Sequence, residues 1–357
     1  MLALGIETSC DETSAGIVDD EGRVHANVVA TQVDVHARYG GIVPEVASRQ
    51  HVLDIRTVVQ SALDKANAGW DDIGVVAVTY GPGLAGSLIV GVNLAKGISA
   101  STGIPLVGVN HLDGHIYAAW ARLADASSAD RDLLNEVLDS GKGVMCLLVS
   151  GGHTELVLMR SDNHFELVGE TRDDAAGEAF DKAARVLGLR YPGGPEIQRV
   201  AGTADASQVE PLSRAWLKGT NDFSFSGIKT AVLNRARSEG LYPAPDDGAP
   251  ADKVAALARA FQDSVIDVLV TKTLAAAQEH GCGAIVVAGG VAANRPLREA
   301  FRSLSPLPVV IPPISLCTDN GAMIAMSGMQ RFVAGRRDGW GLDVEPGLRI
   351  GSNGVGR

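Results

Sequence analysis

Two stretches of this sequence repeat the same order of elements, and that repeat limits the folds open to the chain. The first is VVAVTYGPGLAGS…IPLVGVNHLDGH within residues 75–115, and the second is AIVVAGGVAANRP…LPVVIPPISLCTDNG within residues 284–321. Each predicts a strand, a glycine-rich turn, a helix, a second strand and a polar loop that opens another helix. The repeat is one of element order and does not extend to residue identity.

Three short strands precede each copy of the repeat. They are predicted at Leu2–Glu7, Ala15–Val18 and Val24–Ala30, and again at Val144–Val149, Glu155–Met159 and Phe165–Gly169. The predicted fold class is therefore α/β, with duplicated lobes and a cleft between two facing sheets. Ligands of open α/β sheets bind at the carboxyl ends of strands. The loops HLDGH and CTDNG follow such ends, and we expect them on opposite walls of that cleft.

The predicted domain boundaries follow from the same pattern. The N-terminal lobe comprises residues 1–125 plus about 315–340, and the C-terminal lobe about 140–314. The polar segment Ala124–Lys142 is expected to join the lobes. Residues 341–357 are rich in glycine and are expected to form a flexible tail.

The overall charge argues against a protein that binds nucleic acid nonspecifically over its whole surface, because the 357 residues carry a formal net charge of −11. This charge does not exclude a local basic site for nucleic acid. Arg295, Arg298 and Arg302 have helical spacing and share one face. A second basic cluster lies near the C-terminus, at Arg331, Arg336 and Arg337. Both clusters are candidate nucleic-acid contacts, with a solvated surface as the alternative.

The remaining composition indicates a cytoplasmic protein. The four cysteines form no CxxC pair and fit free thiols in a reducing compartment. The N-terminus lacks the basic region of a signal peptide. No apolar run reaches the ~18 residues of a membrane span.

His111 and His115 lie four residues apart in HLDGH, a spacing that places both imidazoles on one helix face, within reach of one metal ion. The repeat places Asp319 of CTDNG at nearly the equivalent position of the second copy. Two histidines and a carboxylate with open positions suit zinc or non-haem iron. A zinc protease needs HExxH, so peptide hydrolysis is disfavoured. The alternative is a pair of polar histidines at a helix start.

Glycine-rich and acidic loops supply the other candidates. SGGHT, residues 150–154, exposes backbone N–H groups that can cradle phosphate. TSCDETS, residues 8–14, lies at the matching turn of the first half, where Asp11 and Glu12 can position a metal, a water or a nucleophile. Asn294 in GGVAAN can hydrogen-bond a ribose or base. The alternatives are polar β-turns and, for Asn294, a helix N-cap.

Ten ordered motifs between Leu4 and about Arg331 resemble the TsaD family, the tRNA N6-adenosine threonylcarbamoyltransferases, in its bacterial branch. They are GIETSCDETSAGIV, GGIVPEVASRQHV, GPGLAGSLIVG, NHLDGHIYA, LVSGGHTEL, GEAFDKAARVLGL, YPGGPEI, DFSFSGIKTAV, VAGGVAAN and CTDNGAMIA. This resemblance implies an ASKHA (actin/Hsp70/sugar-kinase-like) fold, in agreement with the duplicated lobes.

The resemblance also implies site residues. His111, His115 and Asp319 would bind one divalent metal, iron or zinc, and Asp11, in a turn shared with Glu12, would accept or orient the proton of the adenine N6. The residues that would hold the adenylate, with ATP or ADP as other occupants, are Leu148, Val149, Ser150, Gly151, Gly152, His153, Thr154, Asp181, Gly194, Gln198 and Asn294. Many relatives have an acidic residue where this chain has Gln198, whose amide still accepts a hydrogen bond.

The implied reaction transfers threonylcarbamoyl from threonylcarbamoyl-AMP to N6 of the adenosine 3′ of the anticodon, in tRNAs that read codons beginning with A, and releases AMP. The implied partners are tRNA, a threonylcarbamoyl-AMP synthase, a TsaB-like paralogue and a TsaE-like ATPase. That paralogue is expected to lack HLDGH, which makes this chain the catalytic member.

Other functions compete with this one. An ATP-dependent ASKHA small-molecule kinase would use Mg²⁺ and a catalytic aspartate without a two-histidine site. A non-catalytic ATP-binding scaffold would not need the whole metal set. HLDGH together with Asp319 argues against both.

Overall fold

The computed structural model describes residues 1–123, 125–244 and 248–351, which form two five-stranded sheets. The first sheet contains Leu2–Glu7 (β1), Glu12–Asp19 (β2), Val24–Thr31 (β3), Ile73–Gly81 (β4) and Leu106–Asn110 (β5). Its strands lie side by side in the order β3-β2-β1-β4-β5. The second sheet contains Val144–Val149 (β6), Thr154–Ser161 (β7), His164–Glu170 (β8), Ala284–Ala288 (β9) and Val309–Val310 (β10). Its strands lie in the order β8-β7-β6-β9-β10. The two orders are equivalent, which confirms the duplicated α/β fold.

Strand direction follows the same scheme in both sheets where pairings are defined. β1 to β3 form an antiparallel meander, and β4 runs parallel to both β1 and β5. In the second sheet, β9 is parallel to β6 and β10. The helices in chain order, α1 to α12, are Val33–Ala37, Pro44–Ala66, Ala85–Thr102, His111–Tyr117, Ala129–Asp139, Ala176–Val186, Gly193–Ala201, Ser226–Ser238, Ala251–Glu279, Arg295–Leu304, Ile314–Cys317 and Gly321–Val333.

The chain divides into two compact units. The first contains Met1–Gly141, Met159–Glu166 and Pro312–Arg357, and the second Lys142–Leu158 and Leu167–Ile311. The segment predicted as a polar linker contains α5, which belongs to the first unit. HLDGH and CTDNG both lie in the first unit, so the prediction that they occupy opposite walls of a cleft is wrong. The reason is that the chain returns to the first unit at Pro312, before the second polar loop.

Successive side chains of β1 point to opposite faces of the first sheet. Leu4 and Ile6 point into an apolar core shared with α2 and α3. Gly5, between them, faces α12, where an added Cβ would lie 2.2 Å from the backbone nitrogen of Ala325. Glycine therefore allows α12 to pack directly on the strand backbone. This close approach holds the first turns of α12, which begins at Gly321 after its N-cap Asn320, against the strand that ends at Glu7.

The last described residues differ from the predicted flexible tail. Leu348 and Ile350 are buried, and Leu348 belongs to the core of the first unit. The Glu345 N–H donates to the Tyr80 carbonyl, and the Asn110 side chain donates to the Arg349 carbonyl. Burial of these two apolar side chains holds the segment in place despite the glycine content that suggested flexibility. The rest of the expected tail, 352–357, lies outside the described residues.

In the second unit, α9 is a long, largely buried helix beside α6, α7, α8 and α10. The turn after β9 passes close to β6: Gly289 has a φ of +94°, and an added Cβ would lie 2.5 Å from the Val149 carbonyl oxygen. Both the backbone conformation and the space require glycine here. Across the described ranges, no helix is long and apolar enough to cross a membrane.

Candidate metal centre and ligand cavity

The short helix α4 carries both predicted metal-binding histidines of the first unit. It begins directly after β5, where the Asn110 side-chain oxygen accepts a hydrogen bond from the Leu112 N–H at 2.8 Å and caps the helix. His111 and His115 are both buried, and their ring centroids lie 4.7 Å apart. The four-residue spacing therefore places both rings on one face, as predicted.

Asp319 meets the two histidines from the loop before α12. Its Oδ1 lies 3.2 Å from His115 Nε2 and 3.6 Å from His111 Nε2, and the three ligand atoms lie within 4.8 Å of one another. Ligand atoms about 2.1 Å from a tetrahedral ion are roughly 3.4 Å apart, so these separations match a metal site.

The state of His115 supports the same assignment. The residue is 1% exposed, and among the described residues its Nδ1 has no hydrogen-bond partner, whereas Nε2 lies 3.2 Å from Asp319 Oδ1 without forming a hydrogen bond. Burial of an unsatisfied imidazole is unfavourable, and a metal bond to one nitrogen would reduce that cost. Nitrogen and carboxylate donors suit zinc and iron alike. The residues present therefore fit a divalent ion.

Glu7 is a functional residue that the sequence analysis missed. It ends β1 fully buried, and its Oε2 lies 2.9 Å from His111 Nδ1 and accepts a 2.6 Å hydrogen bond from the Thr79 hydroxyl. Burial would raise the pKa of Glu7, but His111 holds it below the usual range. Burial would lower the pKa of His111, yet Glu7 and Asp319 raise it to about 9. A carboxylate at the second nitrogen orients a metal-binding histidine and sets its tautomer.

Of the predicted catalytic residues, Asp11 ends the turn between β1 and β2 and Glu12 is the first residue of β2, in the same unit as the candidate metal ligands. Both are partly buried. Glu12 Oε1 accepts a 3.0 Å hydrogen bond from the Thr31 hydroxyl. Burial, Asp11 and Asp319 raise the pKa of Glu12 to about 9. Burial and the same carboxylates also raise the pKa of the Cys10 thiol, which disfavours a thiolate nucleophile here.

A buried ion pair joins the two helices of the metal centre. Asp113, between the histidines on α4, lies 3.1 Å from a guanidinium nitrogen of Arg331 on α12. Burial raises the pKa of Asp113 to about 7 although Arg331 opposes the shift. The prediction that Arg331 belongs to a basic surface cluster is therefore wrong. Its partner lies 218 positions earlier in the chain, and the local spacing of arginines contains no sign of it.

The second unit contains a cavity of about 220 Å³ between its glycine-rich loops and helices α6, α7 and α10. Five of the predicted adenylate-binding residues line it: Gly151, Asp181, Gly194, Gln198 and Asn294. Phe180, Pro195 and Val291 give it apolar walls that the sequence analysis did not assign. An apolar cavity with a few converging polar groups is the usual form of a small-molecule site.

The other predicted adenylate-binding residues do not line this cavity. Leu148 and Val149 are buried within β6. Ser150, Gly152 and His153 form the turn, where the Ser150 hydroxyl accepts the His153 N–H. The buried Thr154 hydroxyl accepts the Ala176 N–H at the start of α6. These residues shape the loop from which Gly151 reaches the cavity.

Three polar side chains of the cavity are also tied to the fold. Asp181 accepts the Gly193 N–H at 2.7 Å, and Gln198 Oε1 accepts the Arg295 N–H at 2.7 Å. Asn294 caps α10 through the Leu297 N–H and donates to Gln262. The N-cap alternative for Asn294 is therefore observed together with its place in the cavity wall. These bonds fix the orientation of each of the three groups in the cavity wall.

Fold and site together define a class: an α/β protein with duplicated sheets of the ASKHA type, one unit with a two-histidine, one-carboxylate centre and the other with a small-molecule cavity. The fold resembles that of HypF from T. kodakarensis, with a TM-score of 0.56 at 13% identity over 93% of this chain and 48% of that one. It also resembles component A of the Acidaminococcus fermentans (R)-2-hydroxyglutaryl-CoA dehydratase, with a TM-score of 0.50 at 14% identity over 92% and 96%.

The family is identified by sequence. The model of the TsaD family, described as tRNA N6-adenosine threonylcarbamoyltransferase, matches residues 23–326. Relatives of that name from Dehalococcoides mccartyi and Bacillus subtilis are 51% and 49% identical, covering 99% of this chain in each case and 100% and 96% of their own lengths. The chain belongs to the TsaD family.

Proposed function

We propose that this chain is an acyltransferase that moves a threonylcarbamoyl group onto N6 of an adenosine in tRNA. The observation that carries the proposal is the buried group of His111, His115 and Asp319 in a chain that matches named relatives over nearly its whole length. A metal-type site argues against a kinase that relies on Mg²⁺ and an aspartate alone. The finer parts of the reaction are argued below.

The proposed donor is threonylcarbamoyl-AMP, and the second unit holds its adenylate. Apolar walls at Phe180 and Val291 suit a nucleobase, and the Asp181 and Gln198 side chains suit ribose hydroxyls. Gly151 offers a backbone N–H without a side chain in the way. The same cavity would accept the adenosine of ATP or ADP.

The first unit acts at the transferred group. His111, His115 and Asp319 would hold a divalent iron or zinc ion, which when bound supplies Lewis-acid polarisation of the threonylcarbamoyl carbonyl. Glu7 holds His111 in the orientation that presents Nε2 to the ion. The native ion is iron or zinc, because both accept this donor set.

Asp11 is proposed to accept or orient the proton of the attacking N6. In this step the N6–carbonyl bond forms, the bond between that carbonyl carbon and the phosphate oxygen breaks, AMP leaves with the electron pair, and the N6 proton passes to Asp11. The adenine amino group is a weak nucleophile, so its positioning contributes strongly to the rate. Glu12, the next residue, accepts a hydrogen bond from Thr31, which fixes its side chain beside Asp11.

The proposed setting is the cytoplasm, where tRNA and ATP occur together. The acceptor is the adenosine 3′ of the anticodon in tRNAs that read codons beginning with A. A threonylcarbamoyl-AMP synthase supplies the donor, and a TsaB-like paralogue and a TsaE-like ATPase complete the system. Support for these partners comes from the sequence resemblance, and that for the tRNA from the family.

The test is reconstitution of the reaction with purified protein, the partner proteins, threonine, bicarbonate, ATP and unmodified tRNA. Mass spectrometry of the digested tRNA is expected to show threonylcarbamoyladenosine that depends on this chain. His111→Ala should abolish it, whereas His25→Ala, at an exposed position on β3, should not. Confirmed threonylcarbamoyl-AMP without modified tRNA would contradict transfer and favour a kinase or scaffold.

The role of Asp11 has a separate test. Asp11→Ala is expected to slow transfer about 10²- to 10⁴-fold in single turnovers with preformed threonylcarbamoyl-AMP, because the proposed acceptor of the N6 proton is removed. Adenylate binding, measured by titration calorimetry, should be unchanged because the cavity lies in the other unit. Normal transfer by this variant would refute the assignment while leaving the acyltransferase activity in place.

A further inference from the structure

We propose that His51 is a positioning residue for the turn that carries Asp11 and Glu12, and that it holds this turn through the Cys10 carbonyl and the Thr13 hydroxyl. The inference rests on the proposed function, because it gives the turn a part in threonylcarbamoyl transfer. The observation behind it is a buried chain of hydrogen bonds that ends at the turn.

The contacts of His51 fix its tautomer. The ring, on α2, has no exposed surface. Nε2 lies 3.0 Å from the Cys10 carbonyl oxygen, which can only accept, so Nε2 carries the hydrogen. Nδ1 is therefore an acceptor, and the Thr13 hydroxyl donates to it at 2.7 Å. Cys10 precedes Asp11 and Thr13 follows Glu12, so one ring holds both sides of the acidic pair.

A polar chain leads to His51 from the start of α2. The Val43 N–H donates to His36 Nδ1 at 3.3 Å, and His36 Nε2 donates to Gln32 Oε1 at 3.2 Å. The Gln32 amide nitrogen then lies 3.4 Å from His51 Nδ1. The donors in this chain run toward the catalytic turn, so each side chain sets the orientation of the next.

The backbone adds a further link at the same place. The Gln32 N–H donates to the Asp11 carbonyl at 3.0 Å. Carbonyls of two successive turn residues, Cys10 and Asp11, are thus held by one buried network.

The need for such a network follows from charge. Asp11 and Glu12 are adjacent acidic side chains in a partly buried turn near the acidic Asp319. Burying neighbouring carboxyl groups is unfavourable, because burial and mutual repulsion both oppose their ionisation, and bonds to the fold keep the turn in this arrangement. Shape alone at position 51 would not supply these bonds, because an apolar ring leaves both Cys10 and Thr13 unpaired.

Two substitutions separate the two contacts of the ring. His51→Gln places an amide near the Nε2 position and can still donate to the Cys10 carbonyl. His51→Asn reaches only the Nδ1 position and loses that bond. We expect His51→Asn to lower kcat for transfer about 10- to 100-fold, the cost of a misplaced catalytic group. KM for tRNA, adenylate affinity and metal content should be unchanged. The rate of His51→Gln, which keeps the bond to Cys10 and loses the one from Thr13, should lie between those of His51→Asn and the parent chain.

His25→Asn is the matched control, since His25 lies on β3 of the same unit, is partly exposed and pairs with Asp19. Its transfer rate should equal that of the parent chain. Equal rates for a folded His51→Asn and the parent would overturn the proposal. If circular dichroism shows that His51→Asn is unfolded, Thr13→Val decides, because it removes only the hydroxyl donor to Nδ1. Slower transfer by Thr13→Val supports the proposal, and normal transfer overturns it.

A double-mutant cycle with Asp11→Ala tests whether His51 acts through the turn. When two residues act as a unit, the second change adds little to the first. The double variant should therefore transfer at the residual rate of Asp11→Ala, within about 2-fold. Independent, multiplicative losses would overturn the proposal. Normal transfer by Asp11→Ala alone would instead refute the proposed role of Asp11, which keeps the two failures distinct.

Discussion

At the scale of single residues, the cluster of His111, His115 and Asp319 was open to prediction, and the residues that hold it in place were not. The spacing of His111 and His115 and the position of Asp319 in the repeat are visible in the sequence. Glu7 is visible too, as an acidic residue that ends an apolar strand, but its partner His111 lies 104 positions away. Only the sheet, which places β1 between β2 and β4, brings it near that histidine.

Glu7→Gln is expected to weaken metal binding about 10- to 100-fold, the usual effect of losing a carboxylate behind a metal-binding histidine. Glutamine keeps the size of the side chain and can still accept from Thr79, so the fold should persist. Affinity is measured by competition with a chelator for zinc or iron. Glu21→Gln, on the exposed turn between β2 and β3, should bind metal like the parent. Equal affinity for both variants would contradict the role of Glu7.

At the scale of elements, glycine and capping signals predicted where turns and helices begin, and long-range ion pairs stayed hidden. The N-cap role that the sequence offers for Asn294 is observed at the start of α10, and Asn110 caps α4 in the same way. The predicted cluster of Arg331, Arg336 and Arg337 failed because spacing does not show which side of a helix is buried. Arg331 faces Asp113, whereas Arg336 pairs with Asp338 nearer the surface.

Breaking the buried pair between α4 and α12 should be strongly destabilising. Arg331→Met leaves Asp113 buried and unpaired, which typically costs about 3–5 kcal/mol. The double variant with Asp113→Leu should recover part of that loss, because it removes the orphaned charge as well. Urea unfolding measures both. The control Arg336→Met removes a more exposed pair and should cost about 1 kcal/mol or less. A loss for Arg331→Met no larger than for Arg336→Met would contradict the pairing.

A second element-scale prediction concerns acid stability of the second unit. Burial opposes the shift, but hydrogen bonds from Ser224, Ser226 and the backbone at the start of α8 hold the pKa of Asp173 below its usual range. A carboxyl group whose pKa is lower in the folded state stabilises fully above its unfolded value, about 3.9, and loses that effect as the pH falls through the folded value.

The difference in unfolding free energy between the parent chain and Asp173→Asn should therefore be constant near neutral pH and shrink below about pH 4. Urea unfolding across this range measures it. Asp71→Asn, on an exposed turn of the first unit, is the control and should differ little from the parent chain at any pH. A difference for Asp173→Asn that persists in acid would show that the carboxylate charge is not what stabilises α8.

At the scale of the whole molecule, the duplication was readable. The strand-end rule misplaced the second polar loop, although the predicted boundaries returned the chain to the N-terminal lobe at about residue 315. Element order predicted two equivalent sheets, and both are present in the described ranges. The return to the first unit at Pro312 places CTDNG beside HLDGH, which the strand-end rule alone did not anticipate. The segment after Gly341 was expected to be flexible from its glycines, yet Leu348 and Ile350 bury it against the first unit.

Leu348→Asp is expected to destabilise the first unit and weaken metal binding, because Arg349 holds the amide that caps the metal-binding helix. Trp340→Asp, at a residue that is 70% exposed, should change neither property. Thermal unfolding and chelator competition give the two readouts. Leu348→Asp with parental stability and affinity would show that the segment is dispensable.

The Asn110 amide links the start of α4 to residue 349, which is synthesised much later. Its oxygen caps α4 through the Leu112 N–H, and its nitrogen donates to the Arg349 carbonyl. A ribosome makes the two histidines first, then Asp319 and then Arg349. A nascent chain can therefore contain every metal ligand while the helix that presents two of them still lacks one of its anchors. We therefore expect a chain truncated before Arg349 to hold the two candidate metal-binding histidines less firmly than the 357-residue chain does.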